Sequence, residues 1–157
     1  MRRQLLTTAM VAISFIAFCQ SDNEEVDLVQ SMFGMEKKAV AADFMQLDDA
    51  QKDAFWITYD EYETKRKALG KKRLELFNRY ITNYTSLDDT SMDQIINDMT
   101  SLQTKTDKLI SDYYKKMKKQ SGVKAAAQFY QFEHYILSNI RTQILETVPL
   151  IGELEKK

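Results

Sequence analysis

DDAQKDAFWITYDEYETKRKALGKKRLELFNRYITNY, residues 48–84, places Phe55, Tyr59, Tyr62, Leu69, Leu76 and Tyr80 four and three residues apart. An alternation of fours and threes puts all six on one stripe of an α-helix, the seam by which a bundle or coiled coil packs. Arg66 and Arg73 occupy two places in the same register. Gly70 interrupts it at a cost of about 1 kcal/mol, which marks a place to bend. Acid-first pairs four apart, Glu61–Lys65, Glu63–Lys67 and Glu75–Arg79, belong on a solvated face. The segment therefore reads as one long helix starting at Asp48 and reaching Tyr84.

The flanking chain repeats the pattern. Upstream, a first helix is expected from Val26 to Met45, with Leu28, Val29, Met32, Phe33, Ala39 and Val40 inward. Downstream, Leu87-Asp88-Asp89-Thr90 supplies a turn and a cap. A third helix then carries Met92, Ile95, Ile96, Met99, Leu102, Leu109, Tyr113 and Met117 until Ser121-Gly122 closes it. A fourth runs from Val123 to about Val148 through Ala126, Phe129, Tyr130, Glu133, Ile136, Leu137, Ile140 and Ile144, and Pro149 ends it. One proline and four glycines leave little to interrupt helices, and no run of alternating β-branched residues marks a strand. The expected fold class is all-α, an elongated antiparallel hairpin or bundle of about four long helices. At 1.5 Å per residue the second helix would exceed about 50 Å, so a homodimer that covers the exposed seams is expected.

The first nineteen residues read differently. Arg2 and Arg3 precede an uncharged apolar run from Leu5 to Phe18, the pattern of a signal peptide and too short to span a bilayer comfortably. The rival reading is an uncleaved anchoring helix. Ala17 and Cys19 are small residues placed for cleavage before Gln20; the alternative is a lipoprotein anchored at Cys19, against which bulky Phe18 stands. Residues 1–19 are thus expected to be a signal peptide, 20–27 a flexible acidic lead-in and 28–157 a single helical domain. The expected location is the periplasm of a Gram-negative bacterium.

Cys19 is the sole cysteine, so stability must come from packing rather than disulfides. Without Arg2 and Arg3 the 22 basic residues become 20 against 23 acidic, a net charge of −3 that offers nucleic acid no attraction. His134 is the one histidine, and the methionines sit at core spacings, a poor donor set for a transition metal. No nucleophile–base pairing or phosphate-cradling glycine loop occurs, so neither enzyme activity nor a cofactor is expected.

Leu47-Asp48-Asp49-Ala50-Gln51 opens the long helix. Asp48 is expected to accept a bond from a free backbone N–H and Gln51 to reach back to the Asp48 N–H, a capping box with Asp in the place of Ser or Thr. On the residues alone, this only starts a helix. It also resembles the Leu-Thr-x-x-Gln motif of the Spy/CpxP-like periplasmic family: Leu47 and Gln51 match, and Asp48 stands for the threonine. Leu87-Asp88-Asp89-Thr90-Ser91 echoes the motif without its glutamine, and no copy opens the last helix. Phe55-Trp56-Ile57-Thr58-Tyr59-Asp60-Glu61-Tyr62 is similar to a recurrent pattern in exported helical proteins labelled sensors of extracytoplasmic-function (ECF-type) sigma factors. The first resemblance implies a thin helical cradle, usually dimeric, that binds unfolded envelope proteins without ATP. Related members damp a sensor kinase or report metal stress, so the alternative is a regulatory module with one membrane-bound partner.

A surface for such clients is expected where Lys115, Lys116, Lys118 and Lys119 surround Tyr113, Tyr114 and Met117. Lysines steer acidic partners, while aromatic and Met side chains give adaptable apolar contact. The plain alternative is a solvated helix end placed near the C-terminal dipole.

Overall fold

The computed structural model describes residues 35–153. The expected signal peptide, its cleavage between Cys19 and Gln20, the acidic lead-in and the start of the first helix lie outside the described residues.

The described residues form three α-helices and no strand. Helix α1 occupies 35–44, α2 runs Asp49–Asn83, and α3 runs Asp89–Thr147; a 3₁₀ turn, Tyr84–Ser86, follows α2. Hydrogen bonding in α2 continues through Gly70. The buried residues of α2 are Phe55, Thr58, Tyr59, Tyr62, Arg66, Leu76 and Tyr80, close to the expected seam, with Leu69 half-buried. Along α1 and the residue that follows it the buried stripe is Lys37, Ala41 and Met45, four residues apart; Ala39 is exposed and Val40 half-buried, so the face is rotated from the expected one.

The two Asp-Asp helix starts behave differently. Asp88 accepts a hydrogen bond from the Ser91 N–H at 2.8 Å, as an N-cap should. Asp48 occupies the N-cap position of α2 in extended conformation, but its carboxylate makes no cap bond, and the expected capping box is not formed. Only its carbonyl is used, accepting from Gln51 N at 2.9 Å and Lys52 N at 3.1 Å. The Gln51 side chain lies instead beside Gly122, its Nε2 at 3.4 Å from where a Cβ on that glycine would stand.

Gly122 is the one non-helical residue inside α3, with φ +84° and ψ 168°, a region essentially confined to glycine. The chain folds back there. Gln103 and Arg141 would be about 57 Å apart on a straight helix, yet their side chains hydrogen-bond at 2.7 Å. The third helix thus has two arms side by side, 89–121 and 123–147. Thr58–Gln120 and Arg79–Asp98 contacts set α2 antiparallel to the first arm, while Tyr62–Glu133 and Tyr80–Pro149 set it parallel to the second. The stretch expected as a separate fourth helix is therefore the second arm of α3.

The core falls into two clusters. Ala41, Met45, Phe55, Tyr59, Tyr62, Ile110, Tyr113, Met117, Ala125, Ala126, Phe129, Phe132 and Ile136 form the larger; Leu76, Tyr80 and Ile95 form the smaller. Full burial of each large side chain stabilises the fold by roughly 1.5–3 kcal/mol before entropy is counted. Aromatic edges organise the larger cluster: Tyr62 meets Phe129 at 4.9 Å and Tyr113 at 5.5 Å between ring centroids, both T-shaped.

Candidate functional site

The reversal at Gly122 decides what α3 shows to solvent near its tip. Helical spacing carries Tyr113 and Met117 onto the core stripe, where they are 5% and 0% exposed. Neither is available on the surface of the folded chain. Tyr114, one residue round the helix, is half-buried and sets its ring edge-on to Tyr130 of the second arm at 5.9 Å. Tyr130 is 42% exposed and lies 4.4 Å from the His134 ring, one turn further along. Tyr114, Tyr130 and His134 thus make a short aromatic ladder across the two arms.

The lysines flank this ladder unevenly. Lys118 is one turn from Tyr114 on the same face and is exposed, as are Lys115 and Lys119. Lys115 lies 3.9 Å from Asp112. Lys116 points the other way, bonding Glu61 of α2 and lying 5.7 Å from the Tyr113 ring centroid. Its Glu61 contact raises the Lys116 ammonium above its ordinary value. Lys116 therefore ties α3 to α2, and the basic edge open to a partner is formed by Lys115, Lys118 and Lys119.

Beneath α1 lies a second polar group, enclosed in the larger core cluster. Lys37 Nζ donates to Glu63 Oε1 at 2.5 Å and to Glu133 Oε2 at 2.6 Å, and the Tyr62 hydroxyl donates to the same Glu133 oxygen at 2.6 Å. Arg66 Nε contacts both Glu63 oxygens at 3.0 and 2.9 Å. Glu133 is 0% exposed. Its Oε1 and the Tyr59 hydroxyl are enclosed without a hydrogen-bond partner. Burial pushes the Glu133 carboxyl up, with the Lys37 charge pulling it partway back. Burial, reinforced by the charge on Glu133, also pushes both Tyr59 and Tyr62 well up.

That group clamps the fold. Two carboxylates and two cations balance one another, and Glu133 has no surface in solvent. It joins α1, α2 and the second arm of α3. Residue spacing carried a readable signal for it: Lys37 shares a stripe with Ala41 and Met45, and Glu133 stands in register with Phe129 and Ile136. A charge in an apolar register requires a buried partner of opposite sign.

Among the described residues, no group of three or more His, Cys, Asp or Glu is placed to hold a metal ion. None of the described helices is long and apolar enough to cross a membrane. Neither protein-family models, curated proteins nor solved structures give a match to this chain.

Proposed function

We propose that the chain is an exported periplasmic helical protein that holds unfolded envelope proteins without ATP, in the manner of the Spy/CpxP-like family it resembles. The observation that carries this reading is the Tyr114–Tyr130–His134 ladder bordered by Lys115, Lys118 and Lys119. Rigid aromatic edges give apolar contact at low entropic cost, and adjacent ammonium groups attract the acidic residues of a client. Weak, sequence-tolerant capture requires little more than such a surface.

Further support comes from apolar side chains left in water. Val123, at the tip of α3, is 58% exposed, and Ile81, Leu150 and Ile151 near the far end are 50%, 65% and 48% exposed. In the proposed homodimer the far-end group meets its counterpart, leaving the tip for clients.

Light scattering of a reduced, unfolding client with and without the purified chain tests the reading. Suppression of scattering at a few-fold excess, in the absence of ATP, is the expected result. Unchanged scattering would refute it and turn the search to one specific membrane-bound partner, as a sigma-factor or sensor-kinase regulator would require.

A further inference from the structure

Between the two apolar clusters the bundle has a polar layer. Arg73 comes from α2, Gln103 and Thr106 from the first arm of α3, and Arg141 from the second. Arg73 Nη2 and Arg141 Nη2 both point to one atom, Gln103 Oε1, at 3.4 and 2.7 Å. Thr106 Oγ1 is 3.5 Å from Arg73 Nη2 and gives its own proton to the Leu102 carbonyl at 2.9 Å. Gln103 Nε2 donates to Asp107 Oδ1 at 2.7 Å, on the exposed side of the layer. Arg141 Nε is enclosed and has no hydrogen-bond partner.

Donors outnumber acceptors here. Two guanidinium groups bring roughly ten N–H donors, and a single amide oxygen takes the best of them. Like charges also face each other in a partly desolvated place, where repulsion is screened less than on the surface. Burial first, and then the Arg141 charge, lower the Arg73 guanidinium from its ordinary value, with Asp107 opposing them. A polar layer serving only to fix the register of three helices would pair donor with acceptor and cation with anion, as the Lys37–Glu63–Glu133–Arg66 group does.

We propose that Arg73, Arg141 and Gln103 form a binding site for a small oxyanion, a phosphate or a carboxylate, held between α2 and the two arms of α3. The guanidinium fork matches either group, donating two parallel charge-assisted hydrogen bonds to its oxygens. Both arginines and Gln103 are half-buried, so the layer keeps contact with solvent. Binding there would draw the smaller core cluster and the larger one together by neutralising the layer that separates them. The proposal does not depend on the client-binding reading, since the ladder near the tip of α3 shares none of these residues.

Isothermal titration calorimetry of the folded full chain tests it, with inorganic phosphate and acetate titrated separately at an ionic strength held constant with sodium chloride. Saturable uptake of at least one anion is expected, weakened about tenfold or more by Arg141→Gln and by Arg73→Gln, the loss of one charge-assisted contact. Uptake of phosphate alone assigns the site to a free tetrahedral ion; uptake of acetate as well assigns it to carboxylates, including those of a polypeptide. Gln103→Glu supplies a second measurement that does not depend on deleting an arginine. It puts a carboxylate on the two guanidinium groups at the expense of the bond to Asp107, so it should abolish the uptake. No saturable uptake of either anion, or uptake unchanged in Arg141→Gln or retained in Gln103→Glu, overturns the proposal.

Discussion

Lys37 Nζ lies 2.6 Å from Glu133 Oε2 across 96 residues of sequence, and neither side chain has more than 1% of its surface in solvent. The same ammonium reaches Glu63 at 2.5 Å. One lysine of a short helix therefore neutralises carboxylates from two long ones. Replacing it removes the partner of a fully enclosed charge.

Lys37→Met is accordingly expected to destabilise the chain by about 3–5 kcal/mol, the range for breaking a buried pair from one side. Lys37→Met combined with Glu133→Gln should recover much of that loss, because the uncompensated charge is gone. Urea unfolding of the single and double variants checks this. Equal losses in both would mean that packing of the lysine stem, not its charge, holds α1.

Glu133 also gives stability a sign with pH. Its carboxyl is raised in the fold, so between the ordinary carboxylate value and the raised one the folded chain binds more protons than the unfolded chain, and stability increases as pH falls through that interval. Lys37, Glu63, Tyr62 and Tyr59 are the groups that face it. Asp88, Asp98 and Asp112 act in the opposite sense. Hydrogen bonds from Ser91, Arg79 and Lys108 hold them low, and their contribution disappears as pH falls through their folded values. Melting temperature should thus peak at mildly acidic pH. Glu133→Gln should flatten the neutral side of that peak; a slope unchanged in the variant contradicts the assignment.

Gly122→Ala tests the fold-back. A Cβ there would meet only Gln51 Nε2, at an ordinary 3.4 Å, so any cost comes from the backbone at φ +84°. That cost is about 1–3 kcal/mol, measurable by chemical denaturation. Gln51→Ala, which removes the contact and leaves the backbone alone, should cost far less.

The two helix starts offer an internal control. Asp88→Ala removes a cap bond to Ser91 and should lower the melting temperature, whereas Asp48→Ala removes none and should change it much less. Equal effects would contradict the difference between the two caps.

These contrasts show what could be read from residue order. The seam through Phe55, Tyr59, Tyr62, Leu76 and Tyr80 was legible because apolar periodicity is a local property of one helix. Gly122 was legible as the end of one helical stretch and the start of another, and the chain does break there, because a glycine in this position frees the backbone from the helix. Tyr113 and Met117 belonged in the core by their spacing, yet the neighbouring lysines made the whole segment look like surface; only Tyr114, offset by one residue, faces Tyr130. The pairing of Lys37 with Glu133 was beyond local reading for another reason. Each is a charge on an apolar stripe, and only the packing of three helices shows which opposite charge it meets. Asp48 and Gln51 matched a capping pattern whose geometry depends on side-chain rotamers, and Gln51 instead lies beside Gly122.

The central claim is that the aromatic ladder and its lysine border take unfolded polypeptide. Amide chemical-shift mapping of the isotope-labelled chain against a permanently unfolded client tests it most directly. The account predicts the largest changes around Tyr114, Lys118, Tyr130 and His134, reduced when Tyr114→Ala and Tyr130→Ala are combined. Changes confined to other faces, or none at client concentrations that suppress scattering, would contradict it.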